Sequence, residues 1–208
     1  MFRLSPRALP ESIGAPLSRL LARTGLTPNA ITVIGFAGAL AAAILIARGE
    51  FLAGGIVMLA AAAFDLMDGL LARATGRVTA FGGVLDSLFD RLSEAAVLAG
   101  LLFYFADGGD VEESVLAFAA VVGSLLTSYM RARAEAAGFE LREGLFTRPE
   151  RVIVLGIGLI IDQARIALWI VAVLANFTVF ERLFAVWTKW RAQPSSKQPA
   201  EQGARRER

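Results

Sequence analysis

The sequence predicts an all-α integral membrane protein with six transmembrane helices, preceded by an amphipathic juxtamembrane helix. Composition and segment length both lead to this fold class. Of the 208 residues, 56% are hydrophobic and 19% are charged, whereas ordinary soluble domains contain about 45 to 50% apolar and about 25% charged residues. The long apolar segments also approach the roughly 20 residues that a helix needs to cross a hydrocarbon core.

The chain is expected to comprise an N-terminal segment (1–25), a six-helix domain (26–190) and a disordered cytoplasmic tail (191–208). Residues 17–23 mix apolar and basic side chains, which predicts a short amphipathic helix on the cytoplasmic membrane surface. Pro10 and Glu11 lie where a cleavable signal would have its apolar core, so we expect the N-terminal segment to be retained. The tail is too polar to bury the surface that folding requires.

Six apolar segments predict the membrane-spanning helices. Thr27, Pro28 and Asn29 mark the start of the first, with Pro28 just ahead of Asn29 as the expected capping residue. A short polar turn separates the fifth and sixth. The predicted spans are residues 30–47, 51–73, 81–105, 115–129, 152–161 and 167–184.

The loops differ in charge between the two sides of the predicted bundle. The N-terminal segment, the loops after the second and fourth spans and the C-terminal tail are rich in Arg and Lys, whereas the loop after the third span is acidic. The positive-inside rule therefore predicts that both termini face the cytoplasm, in the cell membrane. The formal net charge is only +2, and this dispersed basic pattern does not indicate nucleic acid as a partner.

Four aspartates interrupt the second and third predicted spans. Asp65 and Asp68 are three residues apart, and Asp86 and Asp90 are four apart, so each pair projects from one helix face. An ionised Asp at the centre of a membrane helix costs roughly 2.5 to 3.5 kcal/mol on insertion scales. The chain has no Cys and no His, which leaves oxygen ligands for a hard cation. One or two Mg²⁺ ions at this cluster would also clamp a pyrophosphate.

Residues 65–90 carry the pattern D-x2-D-G-x2-A-R-x8-G-x3-D-x3-D, which resembles the signature of the CDP-alcohol phosphotransferases at every defined position. The resemblance implies six transmembrane helices, usually a homodimer, and transfer of a phosphatidyl group from CDP-diacylglycerol to an alcohol with release of CMP. It implies that Asp65, Asp68 and Asp86 bind one Mg²⁺ and that Asp65, Asp86 and Asp90 bind a second, with Mn²⁺ as an alternative ion. Asp90 would also be the general base for the attacking hydroxyl.

The same resemblance implies which residues bind the CDP moiety of the donor. They lie in the two aspartate helices, in the loop between them and at the start of the first span. The residues are Gly69, Arg73, Thr79, Asn29, Ala30, Ile31 and Thr32.

Arginines near the cytoplasmic ends of the fourth and fifth spans suggest where the acceptor binds. Arg131 and Arg133 follow the fourth span, and Arg148 and Arg151 precede the fifth. Guanidinium groups bind phosphate oxygens in forked geometry, so four of them at one membrane depth predict a phosphate pocket. The alternative is a basic anchor that contacts the headgroups of membrane lipids.

The blocks around these arginines, together with residues 181–188, resemble the phosphatidylinositol phosphate synthases of actinobacteria and their archaeal relatives. That resemblance implies inositol phosphate as the acceptor, with Arg131, Arg133, Arg151 and Arg182 on its phosphate and Arg148 as a further candidate. Arg131 stands where those relatives often carry Lys, which keeps the charge but changes the hydrogen-bond geometry.

Two alternatives stay open. A phosphatidylglycerophosphate synthase would use glycerol 3-phosphate and would need a similar basic pocket. In a different class, a cation-coupled transporter could use the aspartates as an ion path, or they could form an ion-pair network with Arg73 and Arg91.

Overall fold

The computed structural model describes residues 25–141 and 143–192 of the chain, and its regular secondary structure within those ranges is entirely helical. The predicted amphipathic helix at 17–23 lies outside the described residues, as does the tail from residue 193. Six helices follow one another along the described chain: α1 (Pro28–Ala47), α2 (Phe51–Ala74), α3 (Ala80–Asp107), α4 (Val111–Ala136), α5 (Arg148–Ile160) and α6 (Ala164–Ala192).

Helix α1 begins differently from the prediction. The capping residue is Thr27, whose Oγ1 accepts a hydrogen bond from the Ala30 amide at 3.2 Å. Pro28 occupies the first helical turn, where its fixed φ fits the helix and its missing N–H is no loss. Asn29 is therefore already helical, and its prediction as the capping residue was wrong.

By length and composition, α1, α2, α4 and α6 could each cross a membrane, which makes the chain a multi-pass membrane protein. Helix α3 has 28 residues, but its first 15 residues include Asp86, Asp90, Arg91 and Glu94. Helix α5 has only 13 residues, a length of about 20 Å at 1.5 Å per residue. The ends of α1, α2 and α3 lie within two residues of the predicted ones, whereas α4 runs to Ala136 and α6 to Ala192, well beyond the predicted ends at residues 129 and 184.

The helices pack in two groups joined through α3 and α5. Helix α1 packs against α2 and α3, α4 packs against α3 and α6, and α5 contacts α2 and α6. Small residues permit the closest approaches, because a Cβ at Gly100 of α3 would lie 2.5 Å from the Ala43 carbonyl of α1. Gly35 of α1 likewise faces Asp65 of α2. This close packing brings the starts of α1 and α3 and the end of α2 together.

Candidate active site

Three carboxylates converge between α2 and α3. Asp65, Asp68 and Asp86 each contribute one oxygen, and these oxygens all lie within 4.8 Å of one another. Oxygen ligands about 2.1 Å from a Mg²⁺ ion are at most roughly 4.2 Å apart, so small side-chain adjustments would bring all three onto one ion. The donor set and its spacing therefore fit a divalent metal ion.

Thr32 of α1 fixes the orientation of one member of this cluster. Its Oγ1 donates a hydrogen bond to Asp68 Oδ2 at 2.5 Å, and both side chains are buried. Partners of this kind hold a ligating carboxylate in one rotamer. The family resemblance assigned Thr32 to the CDP moiety, whereas its hydroxyl in the structure contacts an aspartate.

Asp90 lies beside the three-carboxylate group and is paired with a cation. Arg148 Nη1 of α5 lies 2.5 Å from Asp90 Oδ1 and 3.3 Å from Asp65 Oδ2. One guanidinium thus joins α2, α3 and α5. The sequence placed Arg148 among candidates for the acceptor phosphate, and the structure directs it at the aspartates.

Four of the residues predicted to bind CDP, namely Asn29, Gly69, Arg73 and Thr79, lie at the start of α1, the end of α2 and the start of α3. Thr79 caps α3 by accepting a hydrogen bond from the Gly82 amide at 3.0 Å, and a Cβ at Gly82 would lie 3.3 Å from Asn29 Oδ1. Arg73 folds back over Gly69, where a Cβ would lie 3.3 Å from its Nη1. A bulky side chain at either glycine would therefore narrow the approach to the aspartates.

The first turn of α1 shows which predicted contacts are exposed. Asn29 is exposed and Ala30 is partly buried. Ile31 is fully buried and forms a small apolar cluster with Leu71. The Ile31 side chain therefore packs α1 against α2 and is not exposed to a ligand.

The acceptor arginines divide into exposed and buried groups. Arg131 and Arg133 are exposed on the last turns of α4, and Arg131 pairs with Glu135 at 3.0 Å. Arg182 of α6 is buried and donates hydrogen bonds to the carbonyls of Glu143 and Thr127. Arg182 lies near enough to Arg131 and to Arg151 for their positive charges to act on it. The structure therefore brings Arg182 of α6 near one arginine of α4 and one of α5.

Sequence reasoning missed Glu94, the partner of Arg151. The Arg151 side chain is 2% exposed and meets both Glu94 oxygens, through Nε at 2.5 Å and Nη2 at 2.8 Å. A signal was present, because Glu94 follows Asp86 and Asp90 at four-residue spacing and so continues their helix face.

A small pocket lies beside these charges, between α1, α2, α3 and α5. Its polar lining includes Asp65, Glu94 and Arg148, and its apolar lining includes Met58 and Val97. The site therefore borders both charged and apolar side chains.

Comparison with known proteins gives consistent matches over most of the chain. Residues 25–192 match the sequence model of the family described as CDP-alcohol phosphatidyltransferase. The phosphatidylinositol phosphate synthase of Mycobacteroides abscessus is 38% identical over 182 residues, which cover 83% of each chain. The archaetidylinositol phosphate synthase of Pyrococcus horikoshii is 40% identical over 173 residues, which cover 81% of this chain and 89% of the relative.

Solved structures agree with these matches. The crystal structure of Mycobacterium tuberculosis phosphatidylinositol phosphate synthase with CDP-DAG bound has a TM-score of 0.80 and 34% sequence identity, covering 90% of this chain and 98% of that one. The same enzyme in complex with manganese and citrate also has a TM-score of 0.80 at 34% identity, covering 89% and 92%.

Proposed function

Because the chain belongs to the CDP-alcohol phosphatidyltransferase family, we propose that it transfers a phosphatidyl group from CDP-diacylglycerol to inositol phosphate, forming phosphatidylinositol phosphate and CMP. The observation that carries this proposal is the position of the aspartates relative to the basic residues. Asp65, Asp68 and Asp86 form a cluster that fits a metal ion, Arg148 of α5 contacts Asp65 and Asp90, and Arg182 of α6 lies near Arg131 and Arg151. Relatives with this named activity are among the similar proteins.

Asp65, Asp68 and Asp86 would hold one Mg²⁺, and Asp65, Asp86 and Asp90 a second, with Mn²⁺ able to substitute. When bound, such ions neutralise diphosphate charge and polarise the phosphorus that is attacked. A relative of known structure was solved in complex with manganese and citrate, which supports a divalent ion as the cofactor. Asn29, Gly69, Arg73 and Thr79 would then contact the CDP moiety.

Asp90 would act as the general base. Its carboxylate accepts the proton of the acceptor hydroxyl while the hydroxyl oxygen forms a bond to the phosphatidyl phosphorus. The bond from that phosphorus to the CMP phosphate oxygen breaks, and CMP leaves with the bonding electron pair. Arg148, 2.5 Å from Asp90, balances the carboxylate charge in the apolar surroundings. No residue becomes covalently attached to the lipid.

Arg131, Arg133, Arg151 and Arg182 would hold the phosphate of the acceptor. Arg131 and Arg133 are exposed and would receive the anion from water, and the buried pair would lie behind them. Mutual repulsion among neighbouring guanidinium groups is relieved when a phosphate enters, because forked Arg–phosphate hydrogen bonds are charge-assisted.

We also propose that all six helices cross the cell membrane, that both termini and the site face the cytoplasm, and that two copies form a homodimer. Arg131, Arg133 and Lys189 lie at the aspartate end of the bundle, whereas Asp110 and Glu113 lie at the opposite end. This asymmetry follows the positive-inside rule.

An acceptor panel tests the proposal directly. Inositol phosphate, glycerol 3-phosphate, free inositol and serine are compared in detergent with CDP-diacylglycerol and Mg²⁺, and CMP release is measured. Of the four acceptors, we expect only inositol phosphate to give rapid CMP release. Faster release with glycerol 3-phosphate would overturn the acceptor assignment, and no CMP with any of the four acceptors would contradict the proposed transfer reaction.

A further inference from the structure

Two ion pairs, one helical turn apart, connect α3 to α5. Asp90 pairs with Arg148 at 2.5 Å, and one turn further along both helices Glu94 pairs with Arg151 at 2.5 and 2.8 Å. The Asp90–Arg148 pair belongs to the reacting groups of the proposed function. The Glu94–Arg151 pair is buried behind it, with Glu94 8% and Arg151 2% exposed.

The Glu94–Arg151 pair matters for the arrangement of α3 and α5 because these helices pack little against each other. Helix α5 packs mainly against α2 and α6 rather than against α3, and a small pocket lies between part of α3 and part of α5, with Glu94 and Val97 on one side and Arg148 and Val152 on the other. Because direct packing of α3 against α5 is sparse, the two ion pairs contribute to setting the distance and the register between these helices.

The Glu94–Arg151 pair also holds the entry to α5. Arg151 Nη1 donates to the Phe146 carbonyl at 3.1 Å, just before the helix begins at Arg148. Three N–H groups of one guanidinium are therefore fixed by two partners. A planar guanidinium held in this way keeps its helix turn from rotating.

Stability alone gives a weak reason for such a pair. Two charges lose hydration on burial, and replacing a buried ion pair by well-packed neutral residues is often neutral or stabilising. A buried pair next to a reaction centre instead suits the accurate placement of a neighbouring group.

Building on the proposed function, we propose that Glu94 is a positioning residue for phosphatidyl transfer. By holding Arg151, it sets the first turn of α5 and places the Arg148 guanidinium between Asp65 and Asp90. Glu94 itself touches no reacting atom in this scheme.

The test is a double-mutant cycle on kcat with Glu94→Gln and Arg148→Gln. Because a displacement of about 1 Å can lower a rate roughly 100-fold, we expect Glu94→Gln to reduce kcat by one to two orders of magnitude while the KM for CDP-diacylglycerol stays near wild type. In the Arg148→Gln background the same change should have little further effect, since the group that Glu94 positions is absent.

Equal losses in both backgrounds would overturn the proposal, as would wild-type kcat in a folded Glu94→Gln protein. Glu94→Asp retains the charge on a shorter side chain and should give an intermediate kcat. It replaces Glu94→Gln in the cycle if the latter fails to fold. Glu113→Gln, which breaks an ion pair at the opposite end of the bundle, is the matched control and should leave kcat unchanged.

The cycle is run with whichever acceptor the wild-type protein uses. A wrong acceptor assignment then appears as absent turnover of wild-type protein with inositol phosphate. A wrong positioning assignment appears only in the Glu94 variants.

Discussion

The two ends of the helix bundle use ion pairs in different ways. At one end Arg165 lies 2.9 Å from Asp110 and 2.7 Å from Glu113, with its side chain 58% exposed and that of Glu113 13% exposed. At the other end Arg148 is only 26% exposed and faces both Asp65 and Asp90, while Asp68 and Asp86 lie close by. The ion pairs at the first end join α6 to the start of α4 at the bundle surface, and those at the second end concentrate charge within an apolar bundle.

The charge balance explains the difference. Exposed pairs such as those of Arg165 typically contribute about 0 to 1 kcal/mol. Within the described parts of the chain, Arg148 is the one cation in direct contact with any of the four aspartates. One guanidinium cannot balance four carboxylates, so the aspartate cluster itself stays short of positive charge until a cation binds. That local shortage marks the cluster as the functional part of its end of the bundle.

Removing the proposed base should have the largest effect. General-base catalysis is typically worth about 10² to 10⁴ in rate, so Asp90→Asn should lower kcat by that range while CDP-diacylglycerol binding stays largely intact. CMP release and a nucleotide-binding assay measure the two quantities. The isosteric control at the other end, Glu113→Gln, should keep full activity; full activity in Asp90→Asn would contradict the assignment.

Asp65 should affect metal binding as well as turnover. It belongs to the three-carboxylate group and also contacts Arg148 at 3.3 Å. Asp65→Asn therefore removes a negative charge both from the carboxylate group and from the ion pairs of Arg148. We expect weaker Mn²⁺ binding by electron paramagnetic resonance together with a large loss of kcat. Asp110→Asn is the matched change at the other end. Unchanged Mn²⁺ affinity in Asp65→Asn would place the metal elsewhere.

Thr32 tests how far hydrogen bonding to a metal ligand matters. Thr32→Val keeps the shape but removes the donor that lies 2.5 Å from Asp68 Oδ2. Loss of such a partner typically weakens metal affinity by about 10- to 100-fold. Thr32→Ser should restore most of the affinity, which a titration with Mn²⁺ measures. Equal affinity in the Val and Ser variants would show that the hydroxyl has no such role.

The aspartate cluster was predictable from sequence because helix periodicity is local. Spacings of three and four residues put each aspartate pair on one face, and the short loop after α2 returns the chain to meet it. The role of Arg148 was not predictable in this way. It lies 83 residues from Asp65 in the chain, and only the packing of α5 against α2 brings the two together.

The buried arginines show a second limit of sequence reasoning. Arg131 and Arg151 have the same side chain and similar basic surroundings in the sequence, yet one is exposed and the other is buried against Glu94. Which face of α5 turns toward α3 depends on its packing against α2 and α6. The Thr27 cap was missed for a local reason, since Pro28 fits the first helical turn better than a position ahead of it.

Arg133 should have a smaller and more selective effect. It is exposed, and a charged hydrogen bond is worth about 1.5 to 3 kcal/mol, so Arg133→Ala should raise the KM for inositol phosphate roughly 10-fold or more. The KM for CDP-diacylglycerol should stay near wild type, as should kcat. Arg48→Ala, an exposed arginine at the other end of α1, is the control. Equal increases in both KM values would indicate a structural role.

The exposed ion pairs at the other end should have the smallest effect. Arg165→Gln removes contacts to Asp110 and Glu113 and a cation–π contact 5.6 Å from the Phe105 ring centroid. Because surface pairs are worth at most about 1 kcal/mol, thermal unfolding in detergent should shift by only a few degrees, and both KM values should stay at wild type. Added salt should reduce even this difference, since screening weakens the wild-type pairs. A large loss of kcat in Arg165→Gln would mean that the two ends are coupled, and the contrast between a joining end and a reacting end would fail.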